Sequence, residues 1–438
     1  MASPQAARHA TGNESARSRA MSPPSGLFRT VGQLYAVQMA SFALPLITVP
    51  YLARHLGVAG VGVVATFQAL ATWFTTLNEF GFSLSATREA ARYKHDKQRL
   101  SELLASVIGA KLLLAAGCGA LMLILSFLLP SLRNQHLLLA SALLYTFGQS
   151  ASAVWLYQAL DRIAFATSCD LGGRCLGVAA IFIWVKTPQD SWRALAIPGG
   201  VILLSAAFAI AVAYREIPFS FPSLNGVLST IRRGYAIFLS RCVSSMMNSG
   251  NALILSMFVS PVAVGYYSGA ERIFRAGLTG LYPFSQVMFP RIAHLLAKDP
   301  DRARSEVLKS LSVMLCAAGC LSAAMLLFGG FLVRVLLGAA FAPSVAVLRI
   351  LAIVPLARAT SDVLGLQWMI SHGLDREYTI CLSVAGFTSL ALALFLSGTW
   401  GQYGAAWAVV SSEVLLAAGV LYCIGLRYIV PFQGVKWR

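Results

Sequence analysis

One stretch of this chain occurs twice, and the repetition limits the architecture more than any other feature. In the first copy a Gly57-Val-Ala-Gly-Val-Gly62 turn opens an apolar helix carrying Gln68, Thr72, Thr75 and Glu79, which leaves through Thr87-Arg88-Glu89 into a charged connection. In the second copy Pro261-Val-Ala-Val-Gly265 opens a helix carrying Glu271, Arg272, Arg275 and Tyr282, which leaves through Pro290-Arg291 into another charged connection. Gly62 aligns with Gly265, Arg88 with Arg291 and Asp96 with Asp299 at one constant offset. A repeat of this length implies two structurally equivalent halves. A weaker echo, Leu160-Asp161-Arg162 against Leu374-Asp375-Arg376, extends the correspondence at a slightly longer offset, as expected where loops have gained residues.

Composition says where the halves reside. The chain is 57% hydrophobic and only 12% charged, too apolar for a soluble protein of 438 residues. Apolar stretches long enough to cross a bilayer recur along almost its whole length. Twelve spans are read, at approximately 31–53, 61–86, 103–129, 136–159, 163–185, 194–214, 234–259, 263–289, 307–333, 343–371, 377–397 and 402–426. Pro45 and Pro50 in the first span and Pro283 in the eighth predict bends or breaks. The expectation is an all-α polytopic membrane protein with two six-helix lobes. Each lobe holds an even number of spans, so both enter the membrane in the same direction, related by a pseudo-twofold axis along the membrane normal. The expected parts are a disordered cytoplasmic tail (1–28), an N-terminal lobe (29–216), a cytoplasmic connection (217–230), a C-terminal lobe (231–428) and a short cytoplasmic tail (429–438).

The net charge of +17 sits between apolar spans without interleaved aromatics, which argues for membrane lipids rather than nucleic acid as the partner. With the N-terminus inside, the clusters Arg88 to Arg99, Arg232-Arg233, Arg291 to Lys309 and Lys436 to Arg438 all face the cytoplasm. Few bases, such as Arg54, Arg133, Lys186 and Arg193, face outward. Both termini are therefore expected in the cytoplasm. All eight cysteines lie in apolar segments without accompanying histidines, so they read as small hydrophobes; no metal and no cofactor is expected.

Charges left inside the spans carry the functional argument, since each costs about 2.5–3.5 kcal/mol at a helix centre. They are Lys111, Arg174, Arg241, Arg272, Arg275, Arg349 and Arg358, against Glu79, Asp170, Glu271, Asp362 and Glu413. Ser268, Arg272, Arg275, Thr279, Tyr282 and Gln286 recur at three and four residues, giving one polar stripe on the eighth span. Gln68, Thr72, Thr75, Glu79 and Ser83 make a matching stripe on the second, and the seventh adds Arg241, Ser244, Asn248 and Asn251. Spans 1, 2, 7 and 8 are thus expected to line a central cavity between the halves. The competing reading is that the neutral groups are interhelical glue. Asp170 with Arg174, and Glu271 with Arg275, stand at the spacing of an ion pair. Lys111, Arg349 and Arg358 are expected to snorkel or to pair with Asp362, while Glu413 has no evident partner. Surplus arginine favours an anionic substrate, because the guanidinium fork matches a phosphate or pyrophosphate and keeps its charge when buried.

Tyr51-Leu-Ala-Arg-His-Leu-Gly57, Gly60-Val-Gly62, Glu79-Phe-Gly-Phe82 and Ala86-Thr-Arg-Glu89 resemble the opening signature of polysaccharide flippases, and Gly265-Tyr-Tyr and Phe289-Pro-Arg291 resemble its second-half counterpart. The family is the oligosaccharide flippase (Wzx-type) branch of the multidrug/oligosaccharidyl-lipid/polysaccharide exporter superfamily. The resemblance implies a V-shaped pair of lobes alternating between inward- and outward-open states in the bacterial inner membrane. It implies movement of undecaprenyl-pyrophosphate-linked oligosaccharide units to the periplasmic leaflet, driven by H+, Na+ or substrate flux, alongside polysaccharide polymerase and assembly proteins. On this reading Arg241, Arg272, Arg275 and Arg174 bind the pyrophosphate, and Asp170, Glu79 and Glu271 carry the coupling ion. A drug or small-cation antiporter of the same superfamily calls for an acid-dominated cavity. A membrane polymerase or glycosyltransferase calls for an exposed catalytic loop, whereas the outer connections hold little beyond Asp190 and Arg193. No enzymatic activity is expected.

Overall fold

The computed structural model describes the backbone of residues 25–128, 132–133 and 135–429, with side chains from 44 onward except at 45–46, 236–237, 239–249 and 427–429. The first 24 residues of the expected N-terminal tail and the last nine of the chain lie outside the described residues. The described residues are almost wholly helical. In order they form α1 (Ser25–Glu79), α2 (Phe82–Arg92), α3 (Lys97–Leu128), α4 (His136–Ser150), α5 (Val154–Ala159), α6 (Ile163–Trp184) and α7 (Arg193–Ala213). Then come α8 (Leu224–Phe258), α9 (Pro261–Thr279), α10 (Tyr282–Lys298), α11 (Pro300–Leu336), α12 (Ser344–Leu351), α13 (Val354–Thr360), a π-helical segment (Ser361–Met369) and α14 (Asp375–Ile429).

Two elements are too long for one crossing. A straight helix of 55 residues would extend about 80 Å, against about 30 Å of hydrocarbon. α1 is broken at Gly57 (φ 67°) and α14 at Gly401 (φ 55°), conformations that a side chain would strain. Each long element therefore supplies two crossings, and the described residues trace the twelve expected spans. The backbone keeps helical φ/ψ through Pro45 and Pro50, so these prolines do not break span 1; Gly57 is the turn expected between spans 1 and 2. Pro283 does mark a break: it sits in the first turn of α10, just after the interruption at Gly280-Leu281. Among the described residues, eight stretches are long and apolar enough to cross a membrane by length and composition. α9 is not among them, because its 19 residues include Glu271, Arg272 and Arg275. The protein is a multi-pass membrane protein.

The duplicated turns are where the halves meet. A Cβ on Gly62 would lie 1.8 Å from the Pro261 carbonyl oxygen, and one on Gly265 would lie 2.1 Å from that of Val58. Val58 and Pro261 are equivalent positions in the repeat, as are Gly62 and Gly265. The contact therefore has the reciprocity of a twofold axis, with the two backbones in van der Waals contact. Around it the main apolar core is continuous between halves, Phe67 and Leu70 from α1 packing with Val264 and Tyr267 from α9 and with Phe341.

At the other end, the start of α8 ties back to the N-terminal helices. Leu224 to Thr230, read from sequence as connection, form the first turns of this helix, and Ser223 accepts the Gly226 amide proton at 3.1 Å as its cap. Arg233 pairs with Glu89, and the rings of Phe80 and Phe238 stack at 4.1 Å.

Candidate functional site

A cavity of about 410 Å³ opens beside the glycine crossing, within the usual size of a small-molecule site. α1 contributes Thr48 and Pro50 from its first half and Gln68 from its second. α4 contributes Tyr145 and Gln149, α6 contributes Arg174, α7 contributes Pro198, and α9 contributes Arg272, Arg275 and Thr279. Three of the four arginines expected to bind the substrate thus converge, two from one half and one from the other. The helical period brings Arg272 and Arg275 to one wall, while Arg174 reaches the same space from a helix far away in sequence.

The fourth arginine, Arg241, lies on α8, and its side chain is outside the described residues. Among the described residues the cavity is walled by spans 1, 2 and 8, as expected, together with spans 4, 5 and 6; most of the polar face expected on span 7 lies outside the described residues. Tyr145 and Gln149 were missed because span 4 shows no polar periodicity; Arg174 on span 5 was the visible signal that these helices face inward.

Two hydroxyls of the stripe on span 2 are taken up by their own helix, which is neither the expected cavity contact nor interhelical glue. Thr72 and Thr75 each donate to the carbonyl four residues back, Gln68 and Ala71, at 2.8 Å. Among the residues of that stripe, Gln68 is the one on the cavity wall.

The arginines differ in their partners. Arg174 Nε donates to Asp170 Oδ2 at 2.9 Å, and Arg275 Nη2 to Glu271 Oε1 at 2.8 Å, each along its own helix. Asp170 and Glu271 therefore sit behind the arginines, and no carboxylate residue lies on the described cavity wall. Arg272 has no carboxylate within ion-pair distance among the described residues; its Nη2 donates across the halves to Gln68 Oε1 at 2.9 Å. The site carries net positive charge and presents guanidinium donors, which can hold a phosphate-like anion in bidentate fashion.

Most of the other intramembrane charges have partners away from the cavity, and Arg349 is exposed. Glu79 does not line the cavity, and it interacts electrostatically with Lys111. Lys111 does not snorkel: its Nζ turns inward to the Ser150 carbonyl at 2.5 Å. Glu413, which had no evident partner in the sequence, accepts from Arg358 Nη1 at 2.8 Å, and Arg358 Nε also lies 3.4 Å from Asp362. These three form a cluster in the second half, joining α13, the π-helical segment and the far end of α14. On the connection before α7, Asp190 accepts from the Lys186 and Thr187 amides at 3.1 and 3.0 Å and pairs with Arg193 at 2.8 Å. The Lys186 amide first, then the Thr187 groups and Arg193, hold its carboxyl below the usual carboxylate range. Its work is to staple a short helix.

Comparison with known proteins adds to this geometry. A model of the family described as "Polysaccharide biosynthesis protein" matches residues 27–296. A protein of Escherichia coli (strain K12), described as "Putative O-antigen transporter", is 28% identical over 398 residues, spanning 90% of this chain and 96% of that one. The fold is similar to that of the lipid II flippase MurJ in an inward closed conformation, with TM-score 0.68 and 13% identity over 91% of this chain and 87% of MurJ. It is also similar to an inward-facing multidrug resistance MATE family transporter of the MOP superfamily, with TM-score 0.63 and 15% identity over 88% and 98% of the two chains.

Proposed function

The chain belongs to the polysaccharide biosynthesis protein family, and from that premise we propose that it is a flippase for lipid-linked oligosaccharides. Its substrate is an undecaprenyl-pyrophosphate-linked repeat unit of O-antigen, capsule or exopolysaccharide. It carries this unit from the cytoplasmic to the periplasmic leaflet of the bacterial inner membrane by alternating access, with both termini in the cytoplasm. The observation that carries the reading is the convergence of Arg174, Arg272 and Arg275 on one cavity built by both halves, with their carboxylates turned away from it. The O-antigen transporter description of the E. coli relative, aligned over nearly the whole chain, supports the same substrate class.

The sugar extends into solvent or cavity space while the polyprenyl tail stays in lipid, so the charged pyrophosphate is the part that needs a polar route. Arginine suits that task because it remains charged in a low-dielectric site and offers paired donors. Asp170 and Glu271, bonded directly to cavity arginines, are placed to pass a proton or cation charge to the site; Glu79, beside Lys111, is the more remote coupling candidate. A small-cation antiporter would need carboxylates on the wall, and the described wall offers none.

The test is surface polysaccharide in a strain lacking its own flippase, complemented with the wild-type chain or with Arg272→Ala and Arg275→Ala together. Loss of export at normal protein level is the expected result. Full export by the double variant overturns the assignment.

A further inference from the structure

The cavity arginines are held in two different ways. Arg174 and Arg275 each bond a carboxylate one turn back on their own helix, whereas Arg272 reaches from the second half into the first and donates to an amide oxygen. An amide orients the guanidinium without cancelling its charge, because Gln is a neutral acceptor. Both Gln68 and Arg272 line the same cavity, so an anion arriving there meets the Arg272 fork with one donor already engaged. Hydrogen bonds from a guanidinium to an ionised oxygen are roughly twice as strong as those between neutral groups, and stronger than those to a neutral amide.

We propose that Gln68 is a placeholder for the substrate anion on Arg272. Its amide oxygen takes the position an anionic oxygen takes in the bound state, presets the guanidinium, and is displaced on binding. Gln68 is thus a positioning residue and a determinant of specificity for anions. The repeat sharpens the point: Gln68 is the counterpart of Glu271 in the second copy. A carboxylate at 68 would have nearly the same shape but would pair with Arg272 as Glu271 pairs with Arg275, and the cavity would lose its uncompensated charge. Displacement also removes a polar link between α1 and α9, so binding loosens the contact between halves at the cavity.

The inference rests on reading the cavity as an anion site, and the experiment separates the two. The full chain is purified in detergent and titrated calorimetrically with inorganic pyrophosphate as the probe. The wild type is compared with Arg272→Ala, Gln68→Glu and Gln68→Leu, and unfolding temperature is followed without pyrophosphate. Q68E is expected to weaken pyrophosphate binding at least about tenfold while raising the unfolding temperature, because a permanent carboxylate occupies the fork. Q68L is expected to tighten binding by roughly fivefold, because the bond that Arg272 must give up costs more than the orientation it supplies. If Q68L does not accumulate, Gln68→Met carries the same expected sign. A merely structural Gln68 would shift both variants in one direction or leave both as wild type, and either result overturns the placeholder while loss of binding in R272A keeps the anion site standing. Wild-type protein that does not bind pyrophosphate, or R272A that binds it as well as wild type, overturns the anion site and the placeholder with it.

Discussion

The two copies of the repeated helix keep one backbone and divide the chemistry. In the second half of α1, Thr72 and Thr75 turn their hydroxyls back onto their own helix. In α9, Arg275 stands where Thr72 does and Arg272 where Ala69 does, and both arginines line the cavity. Gly62 and Gly265, by contrast, do the same work in both copies, each pressed against a carbonyl of the other turn. Duplication has conserved the contact that joins the halves and released the side chains that face the cavity. A binding site on a pseudosymmetric scaffold need not be symmetric, and here the asymmetry is electrostatic.

Breaking the symmetric part should do the most damage. Gly62→Val or Gly265→Val drives a branched side chain into a backbone carbonyl already less than 2.5 Å from the ideal Cβ position. Neither neighbour is a flexible side-chain end, so the cost should exceed the roughly 1–3 kcal/mol usual for overpacking. Both variants are expected to vanish as monodisperse protein in detergent chromatography, and to equal extent. One glycine tolerating valine while the other does not would show that the crossing is not reciprocal.

The asymmetric part comes next. Arg272→Lys keeps a charge but loses the planar fork. It should cut polysaccharide export by about tenfold, on the scale of one lost charge-assisted bond. Thr72→Ala, at the position matching Arg275, and Thr75→Ala one turn on should stay within about twofold of wild type, since each removes a bond within one helix. Equal losses on both sides would mean that the first copy also serves the substrate.

A smaller effect is expected at the ion cluster of the second half. Glu413→Ala strips Arg358 of its 2.8 Å partner and leaves Asp362 as the remaining one. A fully buried broken pair costs about 3–5 kcal/mol, but the Arg358 side chain is 41% exposed and keeps Asp362, so the loss should not exceed about 2 kcal/mol. A thermal melt of the purified protein measures it, and an unchanged melting temperature would remove the cluster from the stabilising contacts.

The smallest effect concerns pH at the connection before α7. The folded carboxyl of Asp190 lies below its ordinary value of 3.8, chiefly through the Lys186 amide. Its contribution is therefore complete at neutral pH and lost as pH falls through the folded value, beneath 3.8. The melting-temperature gap between wild type and Asp190→Asn should be constant from pH 7 to about pH 5 and close below about pH 4. A gap that widens on acidification contradicts the staple.

The architecture was readable because its signals are local and repeated: apolar length counts the crossings, and the glycine-rich turn recurs in register. Arg272, Arg275 and Thr279 were legible for the same reason, since helical spacing alone puts them on one face. What stayed hidden depends on contacts between distant segments. Glu413 meets Arg358 across two intervening turns of chain, and Tyr145 and Gln149 look inward only because α4 packs against α1 and α7. Pro45 and Pro50 suggest a bend or break in span 1, yet helical φ/ψ runs through both, and the non-helical residue is Gly57 in the glycine-rich turn. Polar periodicity also overstated span 2, because a threonine can satisfy its hydroxyl on its own helix and leave no outward sign of having done so.

The glycine crossing has a mechanical consequence. Where two backbones touch with no side chain between them, a rotation of one half against the other would turn about that contact, and the crossing would be the fulcrum near one end of two long levers. Thr279 lies about 20 Å along α9 from Gly265 at 1.5 Å per residue. A rotation of about 15°, ordinary for packed bodies turning about an interface, would carry that end through about 5 Å. Movement that is negligible at the pivot becomes, at the far rim of the cavity, the width of a helical turn.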